Sequence, residues 1–236
     1  MAASEVPFVE GPEGSTETTR LILSRRSVRE GYSDRSISNE AVTEIVRCGL
    51  SSPSSKNARP WRLHVVDDRA LLAEIADTVT HADGADTYVP RDPVTGLIRK
   101  DWPSSVAESA ATLASVPLAI FIENLGAFSK GRATLASVPR DNLRGSLVAF
   151  TFEVLGIGTA TMNMWLAANA LGIKASFMGD ICVAETEIAR RLGIEQDLIG
   201  VLAMGYSDEP PSAHRVHYDV TDEARVVWHH SSGPNV

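Results

Sequence analysis

Cysteine is nearly absent: Cys48 and Cys182 are the only two in 236 residues, and they form no Cys-x-x-C pair. That count excludes a disulfide framework and a thiolate metal knot, and it leads us to expect a reducing, cytoplasmic setting. Cys48 falls in an amphipathic helical pattern and reads as a small core residue. Histidine is sparse too. None of the six is spaced as a metal ligand, and His214, His217, His229 and His230 crowd into the tail without a triad, so no metal is expected. Basic residues are outnumbered 22 to 30, for a net charge of −8, which argues against nonspecific nucleic-acid binding and against an anionic membrane surface. No apolar run is expected to span a bilayer, which takes about 20 residues. The N-terminus lacks the basic and apolar regions of a signal peptide. What remains is a soluble protein whose partners are small molecules.

The composition that is present is ordinary, 44% hydrophobic and 22% charged, and a chain of this size buries roughly 70–75% of its unfolded surface. Residues 1–15, rich in Gly, Pro, Glu and Ser, read as a disordered tail. The pattern predicts a helix from Thr16 to the arginine cluster. A second helix, capped by Ser38, carries Val42, Ile45, Val46 and Leu50 and stops before Pro53. Trp61, Leu63 and Val65 alternate with polar residues as a strand, and residues 69–79 return to helix. Residues 80–104 form an irregular segment of lid-like length. A strand follows at 118–123, then a second irregular segment at 124–142. Residues 143–171 are apolar on every side and so are expected to be buried on every side, at a subunit interface. Gly156 and Gly158 are expected to break or kink that helix, and Gly172 to end it. A short strand at 175–177, a helix at 183–192 and a strand at 198–204 complete the core, followed by a C-terminal extension at 209–236. This order of elements predicts an α+β or α/β domain. The heptapeptide Ala-Thr-Leu-Ala-Ser-Val-Pro occurs twice, at 111–117 and 133–139, with unmatched flanks, and carries no functional weight.

Two segments carry chemistry. Arg25-Arg26-Ser27-Val28-Arg29 offers three guanidinium groups and a hydroxyl at a helix end, the donors that a phosphate monoester needs. Alone it could be a solvated basic end complementing the helix dipole. Pro53-Ser54-Ser55-Lys56-Asn57-Ala58-Arg59-Pro60-Trp61 is a polar turn feeding a strand; alone it is ordinary turn chemistry. Together they read as one site for a flat, phosphorylated cofactor. Gly156-x-Gly158 is no dinucleotide fingerprint, since no third glycine follows and it lies in an apolar helical stretch.

In order, spacing and chain position, these two segments resemble the signature of the nitroreductase family of flavin enzymes, over about residues 16–208. The resemblance implies a mixed or antiparallel sheet flanked by helices, with a long buried helix at the interface of a homodimer. It implies FMN as cofactor. Arg25, Ser27 and Arg29 would reach it, with Arg25 and Arg29 towards its phosphate and pyrimidine edges and Arg26 at a more variable place of the same cofactor-binding motif. Pro53, Ser54 and Ser55 would lie at the ring, and Asn57 would be within hydrogen-bonding reach of cofactor or substrate. Met178 and Gly179 would supply a backbone N–H near flavin N5, and Arg215 would close the phosphate site. NAD(P)H would be the reductant in a ping-pong cycle, with a nitroaromatic, quinone or activated alkene as acceptor. Tyr88, Trp102 and Phe128 would line the acceptor pocket. Arg59 departs from the family's usual glutamine: it would either add positive charge near the pyrimidine edge, favouring reduced flavin, or point into solvent. Two alternatives stay open, an FMN-dependent oxidase or dehydrogenase of a small organic substrate, and a flavin-binding protein without turnover.

Overall fold

Short hydroxyl and carboxylate side chains start most of the helices. Thr16 caps α1 (Glu17–Ser24) by accepting from the Thr19 N–H, and Ser38 caps α2 (Asn39–Leu50) by accepting from the Ala41 N–H. The computed structural model describes residues 16–89, 95–97, 99, 104–208, 225 and 227. The expected tail 1–15, Trp102 and Arg215 lie outside the described residues, as does all of the 209–236 extension except Arg225 and Val227. After α2 come β1 (Trp61–Val66), α3 (Arg69–Thr80), α4 (Ser105–Ser115), β2 (Leu118–Asn124), α5 (Arg132–Ser137), α6 (Arg140–Ala170), β3 (Lys174–Met178), α7 (Glu185–Leu192) and β4 (Asp197–Gly205).

The four strands form one antiparallel sheet in the order β1-β2-β4-β3. Helices cover both faces, so the architecture is α+β, with three layers. On one face Leu118, Ile120 and Ile122 of β2 meet Ile157, Ala160 and Met164 of α6 and Ile45 of α2. On the other, Ala119 and Phe121 meet Leu72, Ile75 and Val79 of α3 and Val106, Ala110 and Leu113 of α4. The alternation is the period-2 pleat of a strand covered on both faces, and β2 is buried throughout.

Three expectations need correction. The α4 helix was not anticipated, and the 124–142 segment is not irregular throughout, since it holds α5 and the start of α6. Gly156 and Gly158 neither break nor kink α6, which runs through both as one helix of 31 residues. By length and composition α6 could also cross a membrane, contrary to the reading that no apolar run is long enough. Its buried stripe faces the protein's own sheet and contains the carboxylate of Glu153, and the core helix of a globular domain passes the same test. Gly172 ends α6 as expected, at φ 73°, with its N–H donating to the Asn169 carbonyl.

Candidate functional site

The basic segment leaves α1 and meets the outer edge of β3. Ser27 bridges Ala175 in parallel, and the Val28 N–H donates to the Ala175 carbonyl at 3.1 Å. The guanidinium of Arg25 lies 4.3 Å above the ring of Trp165 on α6, and its Nη1 is buried without a hydrogen-bond partner. Only three buried side-chain polar atoms among the described residues share that condition, the others being Ser176 Oγ and Asp180 Oδ1. One sits beside β3, one within it and one two residues past its end. Native proteins rarely leave such atoms unsatisfied, so their concentration along one strand needs an explanation.

The other predicted arginines are engaged differently. Arg26 Nη1 donates to the Leu23 and Arg25 carbonyls at 2.7 and 2.8 Å, closing α1. Arg29 pairs with Glu108 of α4 at 3.6 Å. At the far end of β3, Met178 is buried while Gly179 is exposed. A Cβ on Gly179 would meet nothing closer than 3.7 Å, so packing does not demand glycine there. The residue is exposed, so a flat group could rest against the main chain there. From Ala175 to Gly179 the strand covers roughly 13 Å.

The Pro53–Asn57 turn is elsewhere in the chain. It precedes β1, at the opposite edge of the sheet from β3, roughly 14 Å away at three strand spacings. Within one chain, therefore, the two motif halves do not converge into the single site expected of them. Both are instead carried by α6. A Cβ at Gly156 would sit 3.2 Å from Ser54 Cβ and 3.5 Å from Pro60, Thr159 Oγ1 donates to the Pro53 carbonyl at 3.0 Å, and Asn163 donates to Ser52 Oγ at 2.8 Å. Gly156 is the glycine that lets the turn dock. In Gly156→Val the added methyl groups enter that contact, and we expect overpacking to lower stability by about 2 kcal/mol, read as a shift in the midpoint of urea unfolding.

The turn itself is strained. Lys56, Asn57 and Arg59 all have positive φ, at 50°, 54° and 46°, a region that costs L-residues roughly 1–2 kcal/mol each. Ser54 Oγ helps impose it by accepting from the Arg59 N–H at 2.9 Å, and Arg59 Nε donates to Asn57 Oδ1 at 3.3 Å. Arg59 thus does more than point into solvent, for it fixes the amide of Asn57.

Two buried carboxylates escaped the sequence reading. Glu153 of α6 is fully buried and accepts from Asn124 Nδ2, Ser129 Oγ and the backbone N–H groups of Phe128 and Ser129, at 2.5–2.9 Å. Burial alone pushes its carboxyl up, but these bonds outweigh burial and hold it below the usual carboxylate range. The result pins the loop that carries Phe128, on the α6 side of the sheet. Glu123 of β2 is likewise buried; it contacts His64 at 3.0 Å and accepts from the Glu195 and Gln196 N–H groups, and the net effect again lies below the usual range. Tyr88 sits beside Ser105 at the start of α4, a helix that packs on the face of the sheet away from α6, so within one chain Phe128 and Tyr88 are not brought together. Burial, reinforced by Glu185, pushes the Cys182 thiol up to about 12, which disfavours the nucleophilic thiolate. Among the described residues no cluster of His, Cys, Asp or Glu could hold a metal ion.

A strand edge with an unsatisfied, half-buried arginine at one end and bare backbone at the other suits an elongated anionic ligand with a flat head. The chain belongs to the nitroreductase family, whose model matches residues 22–206. A provisionally named NADH dehydrogenase/NAD(P)H nitroreductase from Methanothermobacter thermautotrophicus is 31% identical over 222 residues, 92% of this chain and 90% of its own. Among solved structures, a nitroreductase with bound FMN from Desulfitobacterium hafniense aligns at a TM-score of 0.59 and 18% identity, over 92% of this chain and 100% of that one. The NADPH:FMN oxidoreductase from Vibrio harveyi, complexed with NAD+, aligns at 0.61 and 15% identity, over 92% of this chain and 79% of its own. These two likenesses establish the fold.

Proposed function

We propose that the protein is an FMN-dependent oxidoreductase that takes electrons from NAD(P)H and delivers them to an electron-poor acceptor such as a nitroaromatic, quinone or activated alkene. The observation that carries this reading is Arg25, an arginine with a buried Nη1 that no residue satisfies, stacked on Trp165 beside β3. A phosphate monoester supplies the missing acceptor. Ser27 lies two residues further on, against β3, and at the other end of the strand the backbone N–H groups of Met178 and Gly179, which cannot titrate, would meet the flavin ring. Bound FMN would supply the redox chemistry, accepting a hydride from NAD(P)H and passing electrons to the acceptor in a ping-pong cycle.

The protein works as a homodimer in this reading. Along α6, Leu147, Val148, Phe152, Leu155 and Met162 are exposed in the single chain, and a Cβ on Gly158 would meet nothing within 4 Å. A second copy on that face would cover the apolar surface. It would also bring its own Pro53, Ser54, Ser55 and Asn57 toward the Arg25–Gly179 edge, which the same chain's turn does not approach. Two free cysteines suit a reducing, cytoplasmic compartment.

The test is the visible spectrum of the purified protein, followed by anaerobic addition of NADH and then NADPH. A flavin spectrum bleached by either is expected. A colourless protein that FMN cannot reconstitute would overturn the proposal, and a bound flavin that neither nucleotide reduces would overturn the NAD(P)H half of it.

A further inference from the structure

The exposed side chains of the 55–59 turn, Lys56, Asn57 and Arg59, are rich in donors. Asn57 Oδ1 is occupied by Arg59 Nε, which leaves the Asn57 amide NH2 as its free group. Lys56, Asn57 and Arg59 are all exposed, and among the described residues no carboxylate pairs with Lys56 or Arg59. Several other cations of this acidic protein are paired, Arg47 with Glu44, Arg62 with Glu123, Arg132 with Glu185 and Arg191 with Glu74. What sets Lys56 and Arg59 apart is that these two unpaired cations, within four residues, stand on a backbone forced into the left-handed region at Lys56, Asn57 and Arg59. Strain of this kind persists where surrounding structure imposes it, and it is found at ligand-binding positions. Here Gly156, Thr159 and Ser54 Oγ impose it. An amide and two cations on one short exposed turn offer the donors that an anionic group needs.

We propose that Lys56 and Arg59, with the Asn57 amide, form an anion-selecting rim on the redox site, which recognises a negatively charged group on a molecule that exchanges electrons there. This rests on the function proposed above and adds the chemical class of the substrate. The anion could be a carboxylate on the acceptor or the 2′-phosphate of NADPH. A single kinetic series distinguishes the two.

The holoenzyme is assayed with 4-nitrobenzoate and with its neutral counterpart 4-nitrobenzyl alcohol, and flavin reduction is timed with NADPH and with NADH, at low and high salt. The wild type is compared with Lys56→Asn, which tolerates the left-handed backbone, with Arg59→Gln, and with the double variant. For an acceptor carboxylate, the wild-type kcat/KM ratio of nitrobenzoate to nitrobenzyl alcohol is expected to be about tenfold, falling toward one in the double variant and in high salt. For the 2′-phosphate, the NADPH to NADH ratio of reduction rates shows that same fall, while the acceptor ratio does not change between variants. Either pattern supports the rim. Ratios that are the same in wild type and double variant for both pairs overturn it, while turnover of the neutral acceptor with NAD(P)H leaves the underlying oxidoreductase reading intact. Failure of both nucleotides to reduce the flavin overturns that reading and the rim with it.

Discussion

Arg25→Ala is expected to weaken FMN binding about 100-fold while changing riboflavin affinity only a few-fold. The two ligands differ by the phosphate alone, so their ratio isolates the group that Arg25 is argued to hold. Its Nη1 is already desolvated and unpartnered in the folded chain, so binding phosphate does not require stripping water from that atom. A hydrogen bond to a charged group is worth about 1.5–3 kcal/mol, and an arginine can make two in parallel to a phosphate; about 2.7 kcal/mol corresponds to a hundredfold. Arg25→Lys should fall between wild type and alanine, because it keeps the charge but loses the fork and the stacking on Trp165. Isothermal titration of the apoprotein with FMN and with riboflavin makes the measurement. Equal losses for both ligands would sink the phosphate assignment and would mean that Arg25 matters only through Trp165. Arg26→Ala provides the contrast: its guanidinium closes α1 through the Leu23 and Arg25 carbonyls, so stability should suffer more than FMN affinity.

Much of the fold was legible because its signals were local. Ser38 and the stop before Pro53 bound α2 closely, and the β1 range 61–66 follows from alternation. The α4 helix was not legible, because its buried face is made largely of small residues (Ser109, Ala110 and Thr112 beside Val106 and Leu113) and so lacks a strong apolar period. The repeated heptapeptide shows how far local sequence reaches. In both copies it ends a helix, with Ser115 and Ser137 each donating to the carbonyl three residues back, and Thr112 and Thr134 each donating to the one four residues back. Yet Leu113 is fully buried while its counterpart Leu135 is not, because burial depends on what lies opposite. Gly156 followed the same logic. A glycine in an apolar helix reads as a weak point until the turn that docks against it is in view. The contact of the basic segment with β3 and its distance from the turn could not be read from sequence, since both depend on strand order.

Glu153→Ala is expected to destabilise the protein by about 4 kcal/mol. The signal that could have marked this residue is a lone acid inside an apolar helical run, since a buried charge must find partners. What the sequence could not supply is the identity of those partners, 24–29 positions away in the 124–129 segment. Removing the carboxylate leaves four donors without an acceptor, three of them in buried bonds, and breaking a buried charged network costs roughly 3–5 kcal/mol. At this chain length that lowers Tm by on the order of 10 °C, measurable by circular dichroism. Glu153→Gln fills the same space but turns one acceptor into a donor facing donors, so it should recover only part of the loss. The pH dependence has a definite sign. Because the folded carboxyls of Glu153 and Glu123 lie below their ordinary value, their contribution is fully present above the unfolded carboxylate pKa of about 4.3. It is lost as pH falls through the folded values. Acid unfolding of the wild type should therefore steepen below about pH 4, and the steepening should be smaller in Glu153→Gln, which has one fewer proton to take up. A loss under 1 kcal/mol in Glu153→Ala would mean that water satisfies the Phe128 and Ser129 donors. The loop that carries Phe128 would then be held by something other than this carboxylate.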